Sequence, residues 1–148
     1  MRDEGGGMKA VVVLIVTVLS FACASQSERR TIPPEVESAI NAVADDVAAE
    51  RYEKIYNEAS ELWRQDATPE QSVATFKTLR TKLGAVESRV MQSATEQQNS
   101  GGPLKGRAFI VTYRTRFQNG EGMETFTLVE RERQWKLARY FVNSTALK

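Results

Sequence analysis

The chain has 148 residues, 41% hydrophobic and 26% charged, and its twenty basic and nineteen acidic side chains leave a formal net charge of +1. That suits a single globular domain, and so even a balance gives no broad field to gather nucleic acid or anionic lipid. Histidine is absent and Cys23 is the sole cysteine, which excludes Ser/His/Asp and Cys/His nucleophilic catalysis, zinc or transition-metal sites of imidazole and thiolate, and intrachain disulfides.

Met8-Lys9 precedes an apolar run, Ala10 to Ala24, that ends in small residues. A lysine, a short apolar core and a small-residue end have the form of a secretory signal peptide. The run falls short of the roughly 20 residues that a membrane-spanning helix needs. Asp3, Glu4 and the Gly5-Gly6-Gly7 triplet suit no signal, so Met8 is read as the true start, with residues 1–24 as the signal segment. The product is expected outside the cytoplasm, in the periplasm or the medium. Two cleavage readings stand. Ala22-Cys23-Ala24 is an A-x-A site whose cleavage releases a protein without cysteine, whereas a lipobox reading makes Cys23 a lipid-attachment site. The leucine nearest the lipobox position, Leu19, lies one residue too far from Cys23, and this favours plain secretion.

Residues 25–33 read as a polar linker and 34–148 as a single domain. Pro33-Pro34 suits a first helical turn, and Val36, Ile40, Val43 and Val47 recur at helical spacing. Tyr52, Ile55, Tyr56, Ala59, Leu62 and Trp63 form a second helical stripe after a shift of phase near Glu50-Arg51. Thr68-Pro69-Glu70-Gln71 carries a hydroxyl N-cap, proline at N1 and glutamine at N3. Val73, Phe76, Leu79 and Leu83 follow on one face, and Gly84 is placed to end the helix in a left-handed conformation.

After Gly84 the period becomes two. Strands are expected over Val86–Thr95, Arg107–Phe117, Met123–Arg131 and Trp135–Asn143, with a loop at Gln97–Gly102. Asn119-Gly120 reads as a two-residue hairpin turn. It would pair Phe117 with Gly122, Thr115 with Glu124, Tyr113 with Phe126 and Val111 with Leu128, and would put Glu124 on the aromatic face. In the last strand Trp135 and Leu137 alternate out of phase with Ala138, Tyr140 and Val142. The fold class is α+β: two or three N-terminal helices on one face of a curved four-stranded antiparallel sheet.

Lys82 to Arg89, Phe109-Ile110-Val111, Thr115-Arg116-Phe117, Glu124 to Leu128 and Trp135 to Tyr140 resemble the bacterial exported proteins grouped as domain of unknown function 4019. The resemblance runs from about Tyr52 to the end and implies a cystatin-like or NTF2-like cone. It implies no activity. The family commonly has an Asp-Gly turn before the tryptophan, where this chain has Arg133-Gln134.

Glu124, with Tyr113 and Arg89, is the candidate ligand-binding set. A carboxylate on the apolar side of a curved sheet could act as a general base, or could simply be paired with an arginine such as Arg89. Tyr113 and Tyr140 are pocket-lining or core aromatics. Arg114 and Arg116, with Arg139, lie on the outer face, where acidic Glu130 and Glu132 dilute them. No catalytic residue, metal or cofactor is assigned. A non-catalytic binding or interaction module of the cell envelope is expected, taking a small apolar ligand or an envelope protein, without nucleic acid, and touching a membrane only through an anchor at Cys23. The alternative is an acid–base enzyme using Glu124 in a cone-shaped pocket.

Overall fold

The computed structural model describes residues 31–148; the signal segment 1–24, Cys23 and most of the polar linker lie outside the described residues. Four helices precede the sheet: α1 Pro34–Ala48, α2 Tyr52–Glu58, α3 Glu61–Asp66 and α4 Pro69–Leu83. Strands β1 Val86–Asn99, β2 Gly106–Phe117, β3 Gly120–Arg131 and β4 Gln134–Ser144 follow. They form a curved antiparallel meander in the order β1-β2-β3-β4, and a 3-10 turn over Thr145–Leu147 closes the chain. This is the expected α+β arrangement. Among the described residues no helix is long and apolar enough to cross a membrane.

The helix boundaries have identifiable causes. Pro34 opens α1, whose Val36 and Ile40 are buried while Val43 and Val47 pack against the core. The second stripe divides into α2 and α3 because Ala59 and Ser60 are extended, which frees the Ser60 N–H to bond the Leu137 carbonyl at 2.8 Å. The break thus docks the helices onto β4. α4 starts with the expected capping box: Thr68 Oγ1 accepts from Gln71 N at 3.2 Å and Gln71 Oε1 from Thr68 N at 2.9 Å. Ile32, assigned to the linker on sequence, is 7% exposed and belongs to the core.

Gly84 takes φ +76° as expected, but with ψ −163° rather than the left-handed helical value. A Cβ here would meet Gln118 Cβ at 2.8 Å. The crowding arises because the β2–β3 turn is tied to the end of α4. Asn119 N donates to Leu83 O at 2.9 Å, Asn119 Nδ2 to Lys82 O at 3.1 Å, and Gln118 Oε1 accepts from Ala85 N at 2.9 Å. The turn residues are therefore Gln118 and Asn119, one position earlier than expected, and the pairing of the strands is corrected by two residues. Phe117 pairs with Gly120, Thr115 with Gly122, Tyr113 with Glu124 and Val111 with Phe126. A two-residue slip keeps every side chain on its face, so Glu124, Phe126 and Leu128 still face the helices and are buried.

The phase conflict in the last strand is resolved by an irregularity. Thr127 pairs with Arg139 and Leu128 with Leu137, leaving Ala138 as the extra residue. An inserted residue reverses the alternation beyond it. Leu137 and Tyr140, opposite Leu128 and Phe126, consequently share the helix-facing side. β1 has two such shifts, between Val86 and Ser88 and between Met91 and Ser93, and runs on to Asn99 through the start of the expected loop.

The main core lies between the helices and the sheet, around Val36, Ile40, Ile55, Phe76, Phe109, Val111, Phe126 and Leu128. A smaller cluster of Leu62, Ala108, Val129 and Ala138 covers part of the opposite face near α3.

Candidate functional site

The residue that positions the candidate site is Glu124, in β3 on the helix-facing side. Its side chain is fully buried, so its oxygens require partners. Four hydrogen bonds supply them. Arg89, on β1, donates from Nε to Oε2 at 2.6 Å and from Nη2 to Oε1 at 2.9 Å. Thr115 Oγ1, on β2, donates to Oε2 at 2.8 Å, and the Tyr140 hydroxyl, on β4, donates to Oε1 at 2.6 Å. All four strands contribute one side chain to this cluster.

The fork of Arg89 meets the carboxylate in the bidentate geometry that makes such pairs strong. Its guanidinium carbon also lies 5.9 Å from the Phe126 ring centre. Burial would lower the arginine pKa, but the hydrogen bonds and charge of Glu124 outweigh it, and the net shift is upward. Burial first, then the charge of Glu124, raises the Tyr140 pKa well above its usual value. Tyr140 therefore stays a protonated donor at neutral pH.

Of the expected residues, Glu124 and Arg89 come together directly. Tyr113 lies opposite Glu124 in the ladder but contributes its ring, edge-on to Phe126 at 5.9 Å between centres. The hydroxyl that reaches Glu124 belongs to Tyr140. Tyr140 was legible as a pocket-lining or core aromatic, but its role depends on the Ala138 irregularity. Thr115 was legible as sharing Glu124's face, although it reaches the carboxylate from the diagonal position. A second buried carboxylate, Asp46, carried no signal beyond its place on α1. It receives Arg51 Nε at 2.7 Å and Lys54 Nζ at 2.6 Å; burial raises its pKa, and these two cations lower it further than that.

Beside the Glu124 cluster lies a cavity of about 130 Å³ between α1, α4 and the β1–β2–β4 side of the sheet. Val47, Leu79, Leu83, Val86 and Phe117 give it an apolar wall, and Arg89 and Tyr140 border it. Arg80 also borders it and reaches Glu50 at 3.5 Å. Among the described residues no three acidic side chains are grouped to hold a metal ion. On the outer face, Arg114 pairs across the ladder with Met123 and Arg139 with Thr127, so Arg139 stands apart from Arg114. Arg116 approaches Glu121 at 3.9 Å, and Glu130 is taken by Arg107 at 3.2 Å.

A family model described as "Protein of unknown function (DUF4019)" matches residues 39–140. No curated protein matches the chain. The matched span holds Arg89, Thr115, Glu124 and Tyr140, the whole of the polar cluster.

Proposed function

From the premise that this chain belongs to the DUF4019 family, we propose that it is a non-catalytic binding module of the cell envelope, built on a cone of the cystatin-like or NTF2-like kind. The observation that carries the reading is a saturated polar cluster next to an apolar cavity. Glu124 is enclosed by four donors and has no exposed surface. A general base must reach the proton it removes, directly or through one water. The enclosure therefore supports a structural role for Glu124, as the post that holds β1 to β4 around the cavity. The cavity, walled mostly by hydrocarbon and bordered by the cluster, is the feature this reading assigns to a ligand.

The apolar run Ala10 to Ala24 behind Met8-Lys9 supports placing the module outside the cytoplasm. Release by cleavage after Ala24 fits the spacing better than a lipid anchor at Cys23. Near-zero net charge supports a neutral ligand or a protein partner over nucleic acid.

A screen of the full chain by thermal unfolding against small apolar compounds, joined to capture of envelope proteins, tests the reading. A true ligand at a hundred times its Kd adds about 2.7 kcal/mol to stability and raises Tm by several degrees. Failure of both arms, or a turnover reaction abolished by Glu124→Gln in a folded variant, overturns it.

A further inference from the structure

The cavity also constrains the chemistry of what enters it. Its volume, about 130 Å³, is close to that of a protein cavity of about 150 Å³ that binds benzene. One six-membered ring or a short branched chain fits; a long acyl chain does not. Val47 from α1, Leu79 and Leu83 from α4, and Val86 and Phe117 from the sheet surround that space with hydrocarbon.

The polar border is narrower in its demands. Arg89 is 21% exposed in its side chain and spends one N–H of Nε and one of Nη2 on Glu124. Its Nη1 has no protein acceptor among the described residues. The Tyr140 hydroxyl is committed to Glu124. The free donors of these two side chains are therefore on Arg89, since the single O–H of Tyr140 is spent and its oxygen keeps only lone pairs. Its charges are already paired: Arg89 with Glu124, and Arg80 with Glu50. An anionic head would have to shed its water next to hydrocarbon, approach the Glu124 carboxylate and compete for guanidinium groups that are already neutralised. A cation would meet the guanidinium groups of Arg89 and Arg80 and carboxylates already paired with them.

Building on the binding reading above, we propose that the ligand is an uncharged molecule with an apolar group of about one ring and a single carbonyl or hydroxyl acceptor, its oxygen on Arg89 Nη1 and its ring between α1 and α4.

The test uses the full chain with methyl-labelled valine and leucine, titrated with cyclohexanone, toluene and benzoate at neutral pH and followed by NMR. Cyclohexanone should shift the Val47, Leu79, Leu83 and Val86 methyls saturably. It should bind at least threefold tighter than toluene, which lacks the acceptor, and at least tenfold tighter than benzoate. Ala44→Phe, which projects a ring from α1 into the space, should remove the shifts while the Phe109 and Phe126 ring signals keep their dispersion. Benzoate binding as well as cyclohexanone overturns the uncharged assignment. Silence of the four methyls with all three probes overturns the site itself, whether or not Ala44→Phe folds. If a screened compound or partner moves methyls elsewhere while these four stay fixed, the cavity assignment fails and the binding reading survives.

Discussion

Arg89 and Glu124 are a buried ion pair, and the energetics of such pairs are lopsided. Bringing both charges out of water costs several kcal/mol per ion, which their attraction barely offsets, whereas removing one partner strands the other. Glu124 has no exposure and could not rehydrate without opening the sheet. Arg89→Met should thus destabilise by about 3–5 kcal/mol, because Thr115 and Tyr140 would be left to hold a carboxylate alone. Glu124→Leu combined with Arg89→Met should cost less than Arg89→Met by itself, since the stranded charge is gone and two unbonded hydroxyls remain. Urea unfolding of the two variants and of Glu124→Leu closes the double-mutant cycle. Losses that simply add would show that the pair is not coupled and that the cluster does not hold the strands together. The facing of Glu124 was readable from sequence because a two-residue slip in the hairpin preserves faces. Arg89 was readable as an ion partner and Thr115 as sharing the face, but the Tyr140 hydroxyl was not, because it reaches Glu124 only through the extra residue at Ala138.

At the level of elements, the tight turns show what local chemistry can and cannot specify. Thr68-Pro69-Glu70-Gln71 was legible because a capping box satisfies its own helix and needs nothing from afar. Asn119-Gly120 misled by one residue in the turn and two in the pairing because Asn119 bonds the last carbonyls of α4 and Gln118 bonds Ala85 just beyond them; a tertiary demand outranked the turn's own preference. The break at Ala59-Ser60 left no mark on an unbroken apolar stripe, since its cause is a carbonyl on β4. The length of β1 was hidden for another reason: as an edge strand it carries polar residues on both faces at its far end. The β3–β4 turn is the opposite case, a poor local choice that is tolerated. Glu132 and Arg133 take φ of +52° and +64°, which a type I′ turn needs and which Asn-Gly supplies without strain. A non-glycine residue there bears about 1–2 kcal/mol. Glu132→Asn with Arg133→Gly should therefore stabilise by about 1 kcal/mol after the added freedom of glycine in the unfolded chain, read as a Tm rise of a few degrees. Arg133→Val should lower Tm. An unchanged or lower Tm for the Asn-Gly variant would mean that this turn carries no strain.

Across the whole molecule, helices and sheet are joined by a run of aromatic rings with Phe76 at its centre. Phe76 stacks on Tyr52 at 5.4 Å, on Trp63 at 5.8 Å and on Tyr140 at 5.6 Å between ring centres, and Tyr140 meets Phe126 at 5.1 Å. One side chain on α4 thus touches α2, α3 and the strand that carries a donor to Glu124. The change of period at Gly84 announced that helices would cover one side of a sheet, but which ring would bridge the layers depended on packing angles that no repeat encodes. Truncation of a buried phenylalanine removes its transfer energy and leaves a hole, about 3–5 kcal/mol in all. For a domain whose total stability is about 5–15 kcal/mol, Phe76→Ala should bring the protein close to its folding limit at 37 °C. Because Phe76 also borders the cavity, the hole should merge with it, and an apolar solute such as toluene should raise the Tm of Phe76→Ala more than that of the parent chain. A variant of near-parental stability would mean that the two layers are held by something other than this ring. A destabilised variant that toluene leaves unmoved would mean that the helices collapse onto the sheet and that the cavity is not kept open by the frame around it.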